Sequence, residues 1–161
     1  MDMDAIFQNS VMIHRLEVFV NEAIRLNEPL FVERIGCTIR EYRVLKMVDE
    51  HGGISFKDIT RVTGLERSLV SRQIRTLLKR ELIYRVNSKQ DARRFELFAT
   101  KAGKTACDSG RHLSSEAEKH LFKALQDGEV EQLNSLVHKL SCWVREPSYS
   151  ELIQSKQSQQ N

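Results

Sequence analysis

The sequence predicts a mostly α protein with one small β-hairpin, and three observations carry that expectation. Apolar residues recur at three- and four-residue spacing along most of the 161 positions. Two short runs, residues 82–86 and 95–98, read instead as strands around a polar stretch at 87–94. Only 7 Gly and 2 Pro interrupt the chain, which excludes a collagen-like or low-complexity polymer. With 40% hydrophobic residues, the length suits one compact domain or a small domain carrying oligomerisation helices, not two large domains.

The elements follow in order. Ile6, Phe7, Val11, Leu16, Phe19, Val20, Ile24 and their apolar neighbours between 6 and 26 cover more than the ~100° stripe that one packing face needs. Such a helix is expected to be buried on more than one side, which a small domain achieves by dimerising, and Pro29 is expected to close it. Thr38-Ile39-Arg40-Glu41 fits a capping box for the next helix, whose apolar side is Tyr42, Leu45, Met47 and Val48. His51-Gly52-Gly53 ends it. A short helix at about 56–63, a Gly64-Leu65 turn and a second helix from about 67 to 80 come next. In the second of these, Val70, Ile74, Leu77 and Leu78 share a face.

Beyond the hairpin, Thr100 starts a long helix. Ala102, Ala106, Leu113, Ala117, Leu121 and Leu125 are expected to hold one face, with Gly110 tolerated inside. Asp127-Gly128 interrupts, and Val130 to Trp143 supply the last amphipathic helix. After Pro147 the composition turns Ser/Gln-rich, which predicts disorder over 155–161.

A short helix, a Gly turn, a second helix and a two-stranded hairpin define a winged helix-turn-helix, whose second helix enters the DNA major groove. The charge agrees. Residues 55–101 carry 12 Lys and Arg against 5 Asp and Glu, while the remainder carries 13 against 17. A basic middle third in an otherwise acidic chain is the footprint of a polyanion-binding face. With Val70 at the centre of the buried face and 100° per residue, Ser68, Arg72, Arg75 and Lys79 lie opposite. Ser71 and Thr76 flank them, and Gln73 falls closer to the core side. Arginine can fork to guanine O6 and N7, and serine can reach a phosphate or base edge.

The segment 36–110 resembles the MarR family of bacterial winged-helix regulators. The residues that carry the resemblance are Thr38-Ile39-Arg40-Glu41-Tyr42-Arg43-Val44-Leu45, Gly64-Leu65-Glu66-Arg67-Ser68-Leu69-Val70-Ser71-Arg72 and Leu77-Leu78-Lys79-Arg80-Glu81-Leu82-Ile83-Tyr84-Arg85. Asp91-Ala92-Arg93 followed by Thr100-Lys101-Ala102-Gly103 is the most specific part. The resemblance implies an obligate homodimer built from the first and last helices, acting as a transcriptional repressor released by a small-molecule effector or by thiol oxidation. It implies that Arg93 enters the minor groove from the wing with Asp91 bracing it, and that Arg40 touches phosphate. The residues assigned to DNA are therefore Arg40, Ser68, Ser71, Arg72, Gln73, Arg75, Arg93 and Arg94, with Asp91 as wing support. Two positions depart from the family pattern: Glu81 stands where Gly is usual, and Ala99 where Leu is usual.

The domain boundaries that follow are a first dimerisation helix at 1–35, the winged module at 36–100, dimerisation helices at 101–146 and a polar tail at 147–161. Cys37 is the candidate redox switch, although peroxide-sensing relatives carry their reactive Cys in the first helix. Cys107 and Cys142 are expected on or beside helix core faces. The five histidines form no metal-like spacing, and no phosphate loop, nucleophile elbow or assignable carboxylate pair occurs, so neither an enzyme nor a cofactor is expected. An interaction module that keeps this fold without binding DNA would present a neutral face in place of Arg72, Arg75 and Lys79. No membrane span is expected, nor a signal peptide from the acidic Met1-Asp2-Met3-Asp4, so the expected compartment is the cytoplasm.

Overall fold

The computed structural model describes residues 10–87 and 95–158. The wing-tip residues Asp91, Arg93 and Arg94 and the proposed helix start at Ile6 lie outside the described residues. The chain divides into two compact units, one ending at Ala117 and the other starting at Glu118. The first unit holds α1 (Met12–Ile35), α2 (Ile39–Glu50), β1 (Ile54–Ser55), α3 (Phe56–Thr63), α4 (Arg67–Lys79), β2 (Ile83–Asn87), β3 (Phe95–Ala99) and most of α5 (Lys101–Leu121). The second holds a 3-10 turn at Phe122–Ala124, α6 (Glu129–Trp143) and α7 (Pro147–Ser158).

Pro29 does not close the first helix. Although Pro removes a helical hydrogen bond, α1 runs on to Ile35 and ends at Gly36, whose φ of 65° is left-handed. The last turns are held by packing: Phe31 and Ile35 are buried, and the Phe31 ring lies 5.4 Å from that of Tyr42 on α2. Earlier on α1, Leu16, Phe19, Val20 and Leu26 stay exposed. Burial of that half on several sides is not achieved by this chain alone.

The capping box of α2 forms as the sequence predicts. The Thr38 hydroxyl accepts the Glu41 N–H at 3.1 Å, and the Glu41 carboxylate accepts the Thr38 N–H at 2.9 Å. Val44, Leu45 and Val48 then pack with Ile59, Val70 and Leu77 in a core that excludes water from all six. The sheet has three antiparallel strands, in the order β1-β3-β2, rather than the two of the predicted hairpin. Ile54 pairs with Leu97 and Ser55 with Glu96, while Tyr84 pairs with Phe98 and Arg85 with Leu97.

Glu81 follows α4 with φ 57°, the one positive φ outside glycine among the described residues. The turn explains the angle: Glu81 N–H donates to Leu78 O and Leu82 N–H reaches back to Leu77 O, which is the left-handed closure usually given to Gly. Glu81→Gly is therefore expected to stabilise the fold by about 1 kcal/mol, the left-handed penalty less the extra chain entropy of Gly. Chemical denaturation with an unchanged m-value checks this.

On α5 the buried face is built from Gly103, Cys107 and Gly110, with Ala106 and Leu113 partly buried, so the apolar stripe of the sequence reading lies beside the true contact line. Ala102 is exposed, and Leu125 falls beyond the helix. Gly110 is required rather than tolerated, because a Cβ there would enter the Tyr42 ring.

In the second unit, Gly128 (φ 87°) leads into α6, and the Glu129 carboxylate accepts the Gln126 N–H at 2.7 Å. Residues 147–158 form a helix, so 155–158 are helical where the composition predicted disorder over 155–161; Pro147 starts it, as proline can in a first turn. Trp143 meets Tyr149 edge to face, with centroids 6.0 Å apart. Cys142 is exposed, not set beside a core face, with its sulfur 3.6 Å from His138 Nε2. The Leu133, Leu136, Val137 and Leu140 side chains of α6 also remain exposed.

Candidate nucleic-acid interface

The helix-turn-helix is assembled by local chemistry before its packing fixes it. Ser55 caps α3 by accepting the Asp58 N–H, and its hydroxyl donates to the Asp58 carboxylate at 2.6 Å. That hydrogen bond holds the Asp58 carboxyl below its ordinary range, and the nearby Arg61 charge acts the same way. Gly64, at φ 63°, turns the chain and donates its N–H to Thr60 O. In α4, Val70, Ile74 and Leu77 enter the core, and each fixes the opposite side of the helix to solvent.

The predicted face is there. Ser68, Arg72, Arg75 and Lys79 are exposed, while Ser71 and Thr76 are half-buried at its margins. Arg40, exposed at the second residue of α2, shares with Arg72 a groove of about 230 Å³ that Glu28, Thr38, Glu41, Gln73 and Thr76 also line. The structure thus brings together two arginines 32 positions apart, which helix periodicity could not do.

Gln73 must be removed from the DNA-facing set. It is only 5% exposed, because three residues at 100° place it 60° from Val70, inside the buried arc. Its Oε1 is buried with no hydrogen-bond partner among the described residues. Gln73→Met is therefore expected to leave DNA affinity within about twofold and not to lower stability, since an unpaired buried carbonyl is itself costly. A binding titration alongside a thermal melt checks both.

Arg80 was absent from the sequence-derived set. It donates from Nη1 to Gly36 O and, at 3.0 Å, to Glu41 Oε2. No local pattern marks it, because both partners lie about forty residues away.

Cys37 is fully buried, and burial pushes its thiol up, with the Glu41 charge adding to the effect and Arg80 opposing it. Such a thiol stays protonated and shielded, the opposite of what a reactive cysteine needs. Burial likewise pushes Cys107 up, to about 12, with Asp49 next in effect. Among the described residues no three His, Cys, Asp or Glu side chains gather to hold a metal. No helix among them is long and apolar enough to cross a membrane.

A winged helix-turn-helix whose second helix shows a basic outer face is the class this geometry defines. Residues 37–95 match the model of the MarR family. The uncharacterised HTH-type transcriptional regulator YxaD of Bacillus subtilis (strain 168) is 28% identical over 137 residues, covering 83% of this chain and 94% of the relative. Among solved structures, a MarR-family regulator from Listeria monocytogenes complexed with 26mer DNA superposes with a TM-score of 0.76 at 18% identity, covering 84% of this chain and 89% of that one. The S. aureus MepR–DNA complex gives 0.73 at 21% identity, covering 83% and 98%. These two likenesses establish the shared fold.

Proposed function

We propose that the chain is a homodimeric repressor that binds a pseudo-palindromic operator in double-stranded DNA, with one α4 in each of two major-groove half-sites. Arg72, Arg75 and Lys79, exposed along one side of a helix whose other side is core, carry this reading. Arg40 would hold phosphate beside Arg72, and Ser68 and Ser71 would reach phosphate or base edges. Arg93 and Arg94 at the wing would add minor-groove and phosphate contacts, with Asp91 as their support.

The exposed apolar residues of α1 and α6 support a dimer built from the first and last helices. A two-fold dimer fits half-sites about 34–36 Å apart, one turn of DNA. A repressor of this kind works in the cytoplasm.

An effector reading has its own observation. A cavity of about 330 Å³ lies between α3, α4 and the sheet, lined by Phe56, Ile74, Leu78, Phe95 and Leu97 together with Arg75 and Arg85. The Arg85 guanidinium carbon sits 4.8 Å from the Phe95 ring centroid. A small, flat ligand with one anionic group would fit this lining. It would engage Arg75, a residue assigned to DNA, so occupancy and operator binding would compete. The burial of Cys37 favours a ligand over thiol oxidation as the releasing event.

Selection of bound fragments from randomised DNA tests the whole reading. Enrichment of an inverted repeat with half-sites one turn apart is expected. Recovery of no enriched sequence, or of an unrepeated one, overturns the dimeric operator reading.

A further inference from the structure

We propose that Glu41 and Arg80 are positioning residues, forming a polar hub that fixes the tilt of α4 against α1 and so sets the spacing at which two recognition helices meet DNA. This rests on the operator reading above.

Three helix ends converge on the pair. Helix ends leave N–H and C=O groups unpaired, and buried ones must find partners. Here side chains supply them across elements. The Gly36 carbonyl, just past α1, and the Glu41 carboxylate, in the first turn of α2, both accept from Arg80 Nη1, just past α4. The same carboxylate oxygen accepts the Thr38 N–H. Glu28 of α1 completes the joint by accepting the Ile39 N–H at 3.1 Å. The Glu41 side chain is 11% exposed and the Arg80 side chain 46%, so the pair is sheltered from solvent on the Glu41 side only.

Leverage makes the joint matter. Helix α4 has 13 residues. At 1.5 Å per residue it is about 20 Å long, so a tilt of roughly 5° at its Arg80 end moves its other end by nearly 2 Å. Hydrogen bonds to base edges do not survive a displacement of that size. A planar guanidinium gives a fixed direction that a flexible ammonium would not.

Two variants test this. Glu41→Gln keeps a capping box, since Gln serves at that position, but loses the charge. Arg80→Met keeps an apolar stem and removes the donors. Each is measured on the selected operator and on the same operator with one base pair inserted between half-sites. Wild type is expected to discriminate sharply between the two, and each variant to lower that ratio by about threefold, the effect of losing a half-exposed ion pair. Spin labels at Arg67→Cys, at the end of α4 away from Arg80 and in a Cys142→Ser background, read the distance between protomers directly: narrow with the intact hub, broadened in both variants.

If both variants fold, by circular dichroism, and keep the wild-type ratio and a narrow distance distribution, the hub does not position α4. If Arg80→Met instead lowers the salt dependence of binding by about 0.9 per subunit, Arg80 is a phosphate contact and the proposal is wrong. Failure of wild type to select any operator sinks the functional reading alone, because the distance distributions still decide the role of the hub.

Discussion

Arg72→Ala and Arg75→Ala are each expected to weaken specific operator binding by about 1–3 kcal/mol per subunit, the range for a lost bidentate contact to guanine. A two-fold dimer loses each contact twice. Combined in one chain, the two substitutions are expected to erase the difference between operator and random DNA, since each 1.4 kcal/mol is about tenfold in affinity. Both side chains are exposed, so the melting temperature should hold within a degree or two; surface changes cost about 0.5 kcal/mol or less. Fluorescence anisotropy at one fixed salt concentration reads the result. Wild-type affinity in both single variants would falsify the recognition-helix assignment.

Gly103→Ala is expected to cost about 3 kcal/mol or more, at the upper end of what overpacking does. A Cβ at 103 would press into the backbone carbonyl of Leu82, with the Leu45 side chain at 3.4 Å behind it. The carbonyl cannot retreat, because it accepts the Thr100 N–H at 3.0 Å, and the Thr100 hydroxyl bonds the adjacent Glu81 O at 2.8 Å. Yielding would pull the start of β2 away from α5. Gly64→Ala makes the contrast: its φ is 63° with open space around it, so only the left-handed penalty of about 1–2 kcal/mol applies. Two alanines, one crowded and one merely strained, should therefore separate clearly in a denaturation series. Similar midpoints for both would mean that α5 does not pack on Leu82 as described.

Glu81 shows where sequence reading reaches its limit. A Glu at a usual Gly position marks a local requirement, and the left-handed φ is there. The Thr38–Glu41 capping box and the exposed line from Ser68 to Lys79 were legible for the same reason, since each depends on residues within a few turns of one another. What the sequence hid depends on distant partners. Nothing near Gly110 announces Tyr42, nothing near Arg80 announces Glu41, and two-residue β1 is too short to show any period. Pro29 misleads because propensity sees a lost hydrogen bond and cannot see Phe31 and Ile35 holding the helix beyond it. Gln73 misleads in the other direction: a polar residue on a DNA-facing helix invites a role that its 60° offset from Val70 denies.

Trp143, stacked edge-on against Tyr149, is the chain's only tryptophan and belongs to the unit that starts at Glu118. Its emission is consequently a reporter placed in that unit, beside Tyr149. Quenching or a spectral shift on adding DNA or a small ligand would show that binding is felt in the unit that starts at Glu118. An unchanged spectrum during a saturating titration, read beside an anisotropy signal from the labelled DNA, would show that binding leaves the surroundings of this indole unaltered. One fluorophore in one place thus makes an unmodified sample its own assay for allostery.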